Sequence, residues 1–294
     1  VNAGLRVRLD GSNRVVEAAL VVGGIAPVAC RLRGCEEVLL GQDYSRPRPG
    51  PPFEWTDGAW RLTFPRPEVD RMEYLLAIDG RFLPDPSNPS RASGPFGDKS
   101  VVEWPEYHKP AWVDTIADHG PVEEIEVRCR RLVARVRVLL YATPEPPASD
   151  APLVVAHDGP EYAQYAGLAR FLDAMSWEER IPPLRAALVQ PVDRNETYSA
   201  SALYSAALVR ELIPAIAEHA PHGLRIGMGA SLGGLAMLHA HVRHPRTFDG
   251  LVTTNESNPL PSRASAAAAV SHSSRCLRLT NSRHMVRAMA SSAI

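Results

Sequence analysis

Apolar and polar positions alternate with a period of two along the first hundred residues, then give way to longer apolar runs with helical spacing between them. Leu5-Arg6-Val7-Arg8-Leu9 alternates apolar and charged side chains, as a strand with one buried face does. Asp10-Gly11-Ser12-Asn13 marks a turn, and Val15 to Val22 is a second apolar run. Glu36 to Leu40, Trp60 to Phe64 and Met72 to Ile78 continue the series, the last ended by Asp79-Gly80. Short strands separated by turn signals predict a β-sandwich over residues 1–103. Residues 104–121, rich in Trp, Pro and His, read as a linker whose aromatics fasten two domains.

The pattern then changes. Val122 to Cys129 and Leu132 to Tyr141 predict a hairpin, and Leu153-Val154-Val155-Ala156 is continuously apolar, as a strand covered on both faces must be. Tyr162 to Met175 suits a helix, Leu184 to Gln190 a buried strand, Ala200 to His219 a long helix and Phe248 to Thr253 another strand. Strands alternating with helices imply a mostly parallel sheet with helices on both faces. The expected class is α/β, with residues 122–256 forming an α/β-hydrolase domain.

The centre of that region is Leu224 to His239, LRIGMGASLGGLAMLH. An extended run meets Gly229-Ala230-Ser231-Leu232-Gly233, and a helix-forming run follows at once. This is G-x-S-x-G between strand and helix, where a tight turn exposes the serine hydroxyl. Ser231 is the candidate nucleophile and the Leu232 N–H a candidate oxyanion donor. The alternative is a serine that only caps the helix. A second oxyanion donor is expected from His157-Asp158-Gly159-Pro160-Glu161. Pro160 has no N–H, which leaves Gly159, favoured here, or Glu161; an ordinary Asp-Gly turn is the competing reading. His239, His241 and His244 do not share a helix face and read as structural or solvated groups, not metal ligands.

Composition narrows the partners. Among 294 residues, 45% are apolar and 22% charged, the balance of a globular protein, and the formal net charge of −1 gives no global attraction to nucleic acid or an anionic membrane. The apolar runs are too short to span a bilayer, and no secretion signal is expected. Cys30, Cys35, Cys129 and Cys276 lack zinc spacing and read as free thiols in a reducing cytoplasm, with nothing to argue for a Cys30–Cys35 disulfide. No cofactor and no metal is implied.

Three segments of the first domain, Gly58 to Phe64, Tyr74 to Gly80 and Leu83-Pro84-Asp85-Pro86-Ser87-Asn88-Pro89, resemble the immunoglobulin-like early-set domain. That domain precedes the catalytic module in enterochelin esterases and many glycan-active enzymes. In some relatives it binds glycans through aromatics; here Trp55, Trp60 and Tyr74 are expected in the core or an interface, and the domain is read as a docking and lid element. In the second domain, Leu153 to Tyr162 resembles the Asp-Gly loop of the enterochelin esterase-like (ferric enterobactin esterase) family. Val192 to Tyr198 with Glu211-Leu212-Ile213-Pro214, Gly229 to Ala236, and His244 to Gly250 are similar to that family's further motifs in the same order. The resemblance implies a cytoplasmic serine esterase acting on a small-molecule ester, the best-known members opening the ester scaffold of ferric catecholate siderophores. It also implies that Arg194 meets an anionic or carbonyl part of the substrate; a surface pair with Glu196 is the alternative.

The family places its acid and histidine well after the serine, and this chain departs there. Residues 259–294 contain no Asp, Glu, Gly or aromatic residue. A shifted reading frame or a truncation near Thr253 to Ser257 is the expectation, with part of the hydrolase domain missing or replaced and residues 257–294 an atypical Ser/Ala/Arg-rich tail. Glu256 as acid and His284 as base are the late pair available. Three readings therefore stand: a serine esterase, a catalytically silent binding protein on the same scaffold, and an acetyl or feruloyl esterase tied to a glycan-binding module.

Overall fold

The computed structural model describes residues 4–9, 15–22, 38–42, 52–56, 59–65, 67, 69–114 and 122–254. Cys30, Cys35, Gly58, Glu256, Cys276 and His284 lie outside them. The chain divides into two units, Val1–His108 and Lys109–Ile294.

In the first unit the strands are β1 (Gly4–Leu9), β2 (Val15–Val22), β3 (Val38–Gln42), β4 (Glu54–Thr56), β5 (Ala59–Phe64), β6 (Arg71–Ile78), β7 (Arg81–Leu83), β8 (Arg91–Ala92) and β9 (Lys99–Glu103). They form two antiparallel sheets, ordered β1-β2-β5-β4 and β3-β6-β9-β8, with β7 paired to β6. Leu62 from one sheet and Leu40, Met72, Tyr74, Leu76 and Val102 from the other enter a single core with Trp104. The alternation in Met72-Glu73-Tyr74-Leu75-Leu76 produces this, because every second side chain of a strand points the same way. Tyr74 is buried as expected, whereas Trp55 is 47% exposed. It lies on the three-residue edge strand β4 and meets Trp60 edge to face at 5.5 Å.

Asp85, from the Leu83 to Pro89 motif, is fully buried. Its carboxylate accepts from Tyr74 Oη at 2.7 Å and Ser87 N at 2.8 Å, and its own N–H donates to Ser100 Oγ at 2.8 Å. Asn88 Nδ2 ties the same turn to Val101 O at 2.8 Å. A buried carboxylate is tolerable only with such partners.

The second unit begins with α1 (Ala111–Asp114), followed by β10 (Val122–Cys129), β11 (Ala134–Ala142), β12 (Leu153–His157), α2 (Gly159–Tyr165), α3 (Leu168–Trp177), β13 (Arg185–Val189), α4 (Arg194–Tyr198), α5 (Ala202–Ala207), a π-helical turn (Leu208–Leu212), α6 (Ile213–His219), β14 (Arg225–Ala230), α7 (Leu232–Arg243) and β15 (Gly250–Thr254). Among the described residues these strands form one sheet, ordered β10-β11-β13-β12-β14-β15, antiparallel at the hairpin end and parallel from β13 onward.

The apolar run of β12 is covered on both faces. Leu153 and Val155 pack with Tyr198, Tyr204, Leu208, Ile216 and Met237, while Val154 and Ala156 pack with Phe171, Leu172 and Met175. Trp104 and Trp112, both in the expected linker, are fixed within their own units: Trp104 is in the first core, and Trp112 packs edge to face on Phe171 at 5.4 Å.

Some element boundaries differ from the sequence expectation. The helix expected over Tyr162 to Met175 is two helices, because Gly167 turns left-handed (φ 59°) and starts α3. The helix expected over Ala200 to His219 starts at Ala202, capped by Ser201, and passes through the π turn just before Pro214. A proline lacks the N–H for a regular helical bond and crowds the carbonyl four residues back; a widened turn accommodates both. Phe248 is core but not strand, and β15 begins at Gly250.

Candidate active site

The G-x-S-x-G segment spans the end of β14 and the start of α7. A Cβ on Gly229 would lie 2.5 Å from the Gly233 carbonyl carbon, so the turn closes only on glycine. Ser231 sits between them, exposed, at φ 50° and ψ −121°, and its side chain makes no capping hydrogen bond. Ser201, at the start of α5, shows what a capping serine looks like here: φ −69°, ψ 120°, its oxygen accepting Tyr204 N at 3.2 Å. Ser231 is not of that kind. Its backbone is strained, with a positive φ that a capping residue does not need.

The register of β12 on β14 pairs Ala156 with Met228. Parallel neighbours lie about 4.8 Å apart, so the chain ends after His157 and after Ala230 emerge side by side at the sheet's carboxyl edge. Asp158 is left-handed (φ 53°) and Gly159 opens α2. A Cβ on Gly159 would fall 2.3 Å from Leu188 Cα and carbonyl carbon, so only glycine fits against β13 there. Gly159 and Leu232 are each the first residue of a helix, and first-turn N–H groups have no partner within their own helix. Glu161 is two residues further into α2.

Arg194 does not pair with Glu196. It donates from Nε to Asp158 Oδ1 at 2.8 Å and from Nη2 to Oδ2 at 3.0 Å, a two-pronged ion pair. The bond to Asp158 and its charge raise the Arg194 pKa and keep the guanidinium charged. Within the Val192 to Tyr198 motif, Arg194–Tyr198 forms the short helix α4, capped by Asp193, whose side chain accepts Glu196 N at 3.0 Å.

His157 lies behind the turn, fully buried, with Nδ1 2.9 Å from Gly233 O and Nε2 2.8 Å from Tyr204 Oη. A carbonyl can only accept, so Nδ1 carries the hydrogen and Nε2 takes the Tyr204 O–H. Burial pushes the His157 pKa down to about 4. The ring stacks on Tyr198 at 4.4 Å. Neutral and engaged at both nitrogens, His157 is no proton acceptor for Ser231. Period-two alternation already placed residue 157 on the face of Leu153 and Val155; its partners on α4, α5 and α7 had no local signal.

His239, His241 and His244 are spread along α7 and its end. His239 Nδ1 meets Ser205 Oγ at 2.8 Å, and among the described residues no three His, Cys, Asp or Glu side chains gather as a metal site would require. Cys129 is a buried free thiol, its pKa raised to about 11 by burial and the nearby Glu211. Among the described residues no helix is long and apolar enough to cross a membrane.

Residues 1–48 match the family described as CO dehydrogenase flavoprotein C-terminal domain. Over 213 residues, 68% of the chain, it is 29% identical to iron(III) enterobactin esterase of Escherichia coli strain CFT073, and equally to that of strain K12. The chain spans about half of these curated relatives, 53% of their length. The crystal structure of enterobactin esterase from Shigella flexneri in the presence of enterobactin aligns with a TM-score of 0.65 at 21% identity, covering 86% of this chain and 74% of that one. Ferric enterobactin esterase from Salmonella typhimurium aligns with a TM-score of 0.66 at 17% identity, covering 85% and 74%. The structural likenesses carry the α/β-hydrolase fold. The chain is thus similar in sequence to iron(III) enterobactin esterases and in fold to their solved structures.

Proposed function

We propose that the chain is a serine carboxylic-ester hydrolase in which Ser231 attacks the ester carbonyl and forms an acyl-enzyme. The observation that carries this is the backbone of Ser231, strained and exposed at a strand-to-helix turn and making no cap. The N–H groups of Leu232 and Gly159 are the oxyanion donors of this reading, aimed from the starts of two helices on adjacent strands. Such a donor contributes roughly a hundredfold or more to the rate.

The relatives named iron(III) enterobactin esterase support a siderophore-type ester, a ferric catecholate scaffold, as substrate. Asp158 occupies Nε and Nη2 of Arg194, so Nη1 is the atom that would meet a carboxylate or catecholate oxygen. Glu256 and His284 are the proposed acid and base. The first unit is proposed to be an early-set domain, supported by its two antiparallel sheets around one core. The buried free thiol of Cys129 fits the reducing cytoplasm. The acid-free composition of residues 259–294 favours one second reading, a protein that binds such esters without turning them over.

Hydrolysis of a short-chain p-nitrophenyl ester and of a ferric catecholate triester, each against Ser231→Ala, separates the two. The proposal expects turnover lost in the variant. Binding of the triester with no Ser231-dependent turnover supports the second reading instead.

A further inference from the structure

We propose that His157 is a positioning residue for this hydrolysis, holding the nucleophile turn in register with the oxyanion loop. The inference rests on the serine esterase reading and adds a role to a residue that no part of the triad uses.

Three observations meet at this ring. His157 is the last residue of β12, so it is joined covalently through Asp158 to Gly159, the proposed oxyanion donor. Its Nδ1–H donates to the carbonyl of Gly233, in the first turn of α7 and two residues after Ser231. Its Nε2 accepts from Tyr204 Oη, and its ring stacks on Tyr198. One side chain thus bonds to the segment bearing the nucleophile while its backbone bears the oxyanion loop. The contact is also close sterically, since a Cβ on Gly233 would lie 3.2 Å from His157 Cβ and 3.0 Å from Asp158 Oδ2.

Orientation is fixed by the hydrogen-bond chain. The Gly233 carbonyl can only accept, so the ring hydrogen sits on Nδ1, and Nε2 is left to accept the single O–H of Tyr204. Tyr198 and Tyr204 are buried, so solvent does not compete for either bond. Displacing the nucleophile by about an ångström relative to the groups that stabilise the transition state costs up to a hundredfold in rate. A residue that registers the two segments therefore acts on kcat more than on KM.

The two ring nitrogens are separable by substitution. In His157→Asn the amide reaches the place of Nδ1 and retains a donor for Gly233 O. In His157→Gln it reaches the place of Nε2 and retains a partner for Tyr204 but loses Gly233. The measurements are kcat and KM for a p-nitrophenyl ester, the rate of Ser231 labelling by a fluorophosphonate, and the urea midpoint of each variant. The expected result is His157→Asn within about threefold of the parent kcat and His157→Gln lower by roughly tenfold or more, at unchanged KM and comparable urea midpoints. Tyr204→Phe, which removes the donor into Nε2, is expected to lower kcat several-fold without touching KM. If the Asn and Gln variants slow equally, or kcat follows the urea midpoint, His157 is only structural and the inference falls while the hydrolase reading stands. A parent protein whose Ser231 is neither labelled nor active overturns both.

Discussion

The backbone of Ser231 is held at φ 50° and ψ −121° by its neighbours, and Gly229 is the neighbour that can be changed most cleanly. A side chain there meets the Gly233 carbonyl carbon at 2.5 Å, a backbone atom that cannot step aside. Gly229→Ala is expected to destabilise the protein by about 1–3 kcal/mol in urea titration and to abolish fluorophosphonate labelling of Ser231. His157 supplies a second test at this scale. Its folded pKa of about 4 lies below the ordinary 6.5, so between those values the unfolded chain takes up a proton that the folded chain refuses. Its contribution is fully present above pH 6.5 and is lost as pH falls toward 4, by on the order of 3 kcal/mol. The charged and titratable groups facing it are Asp158, Arg194, Tyr198 and Tyr204. Urea midpoints at pH 7 and pH 4.5 are expected to differ more in the parent than in His157→Phe; equal differences would contradict this. The turn around Ser231 was legible because its chemistry is local, glycine by glycine. The partner of Arg194 was not, since Asp158 lies 36 positions away and reaches it from a left-handed backbone that sequence does not announce.

Elements were legible where the pattern is set by burial and less so where it is set by backbone detail. The continuously apolar run of β12 marked a strand covered twice, and its residues do divide between two cores. The division of one expected helix at Gly167 and the π turn before Pro214 follow from single residues whose effect depends on packing around them. Pro214 is exposed, at the start of α6. Pro214→Ala restores a backbone donor and removes the clash that the wide turn absorbs, offset by a more flexible unfolded chain. It is expected to stabilise the protein by about 1 kcal/mol, read from the urea midpoint. A destabilised variant would mean that the π turn is held by the packing of Leu208 and Leu212 rather than by the proline.

For the molecule as a whole, the boundary between the two units falls inside the expected linker, after His108. Each unit carries its own core, and each expected linker tryptophan belongs to one of them. In the first unit Asp85 is a fully buried carboxylate, and Asp85→Ala leaves the Tyr74 hydroxyl and the Ser87 N–H without their acceptor. A loss of about 3 kcal/mol is expected, measured by denaturation followed through tryptophan fluorescence; a loss within 0.5 kcal/mol, as for an ordinary surface change, would contradict it. The motif around Asp85 was visible in the sequence as a run of prolines and polar residues, but its burial was not, because the strand that supplies Tyr74 is paired with it only in three dimensions. All of the chemistry proposed for the second unit depends on one hydroxyl being aimed outward and made reactive. The direct measurement is intact-mass and peptide analysis of the full chain after treatment with a fluorophosphonate, beside Ser231→Ala. A single adduct confined to the peptide containing Ser231, and absent from the variant, is the expected result; a folded parent protein left unmodified, or modified equally in the variant, would contradict the account.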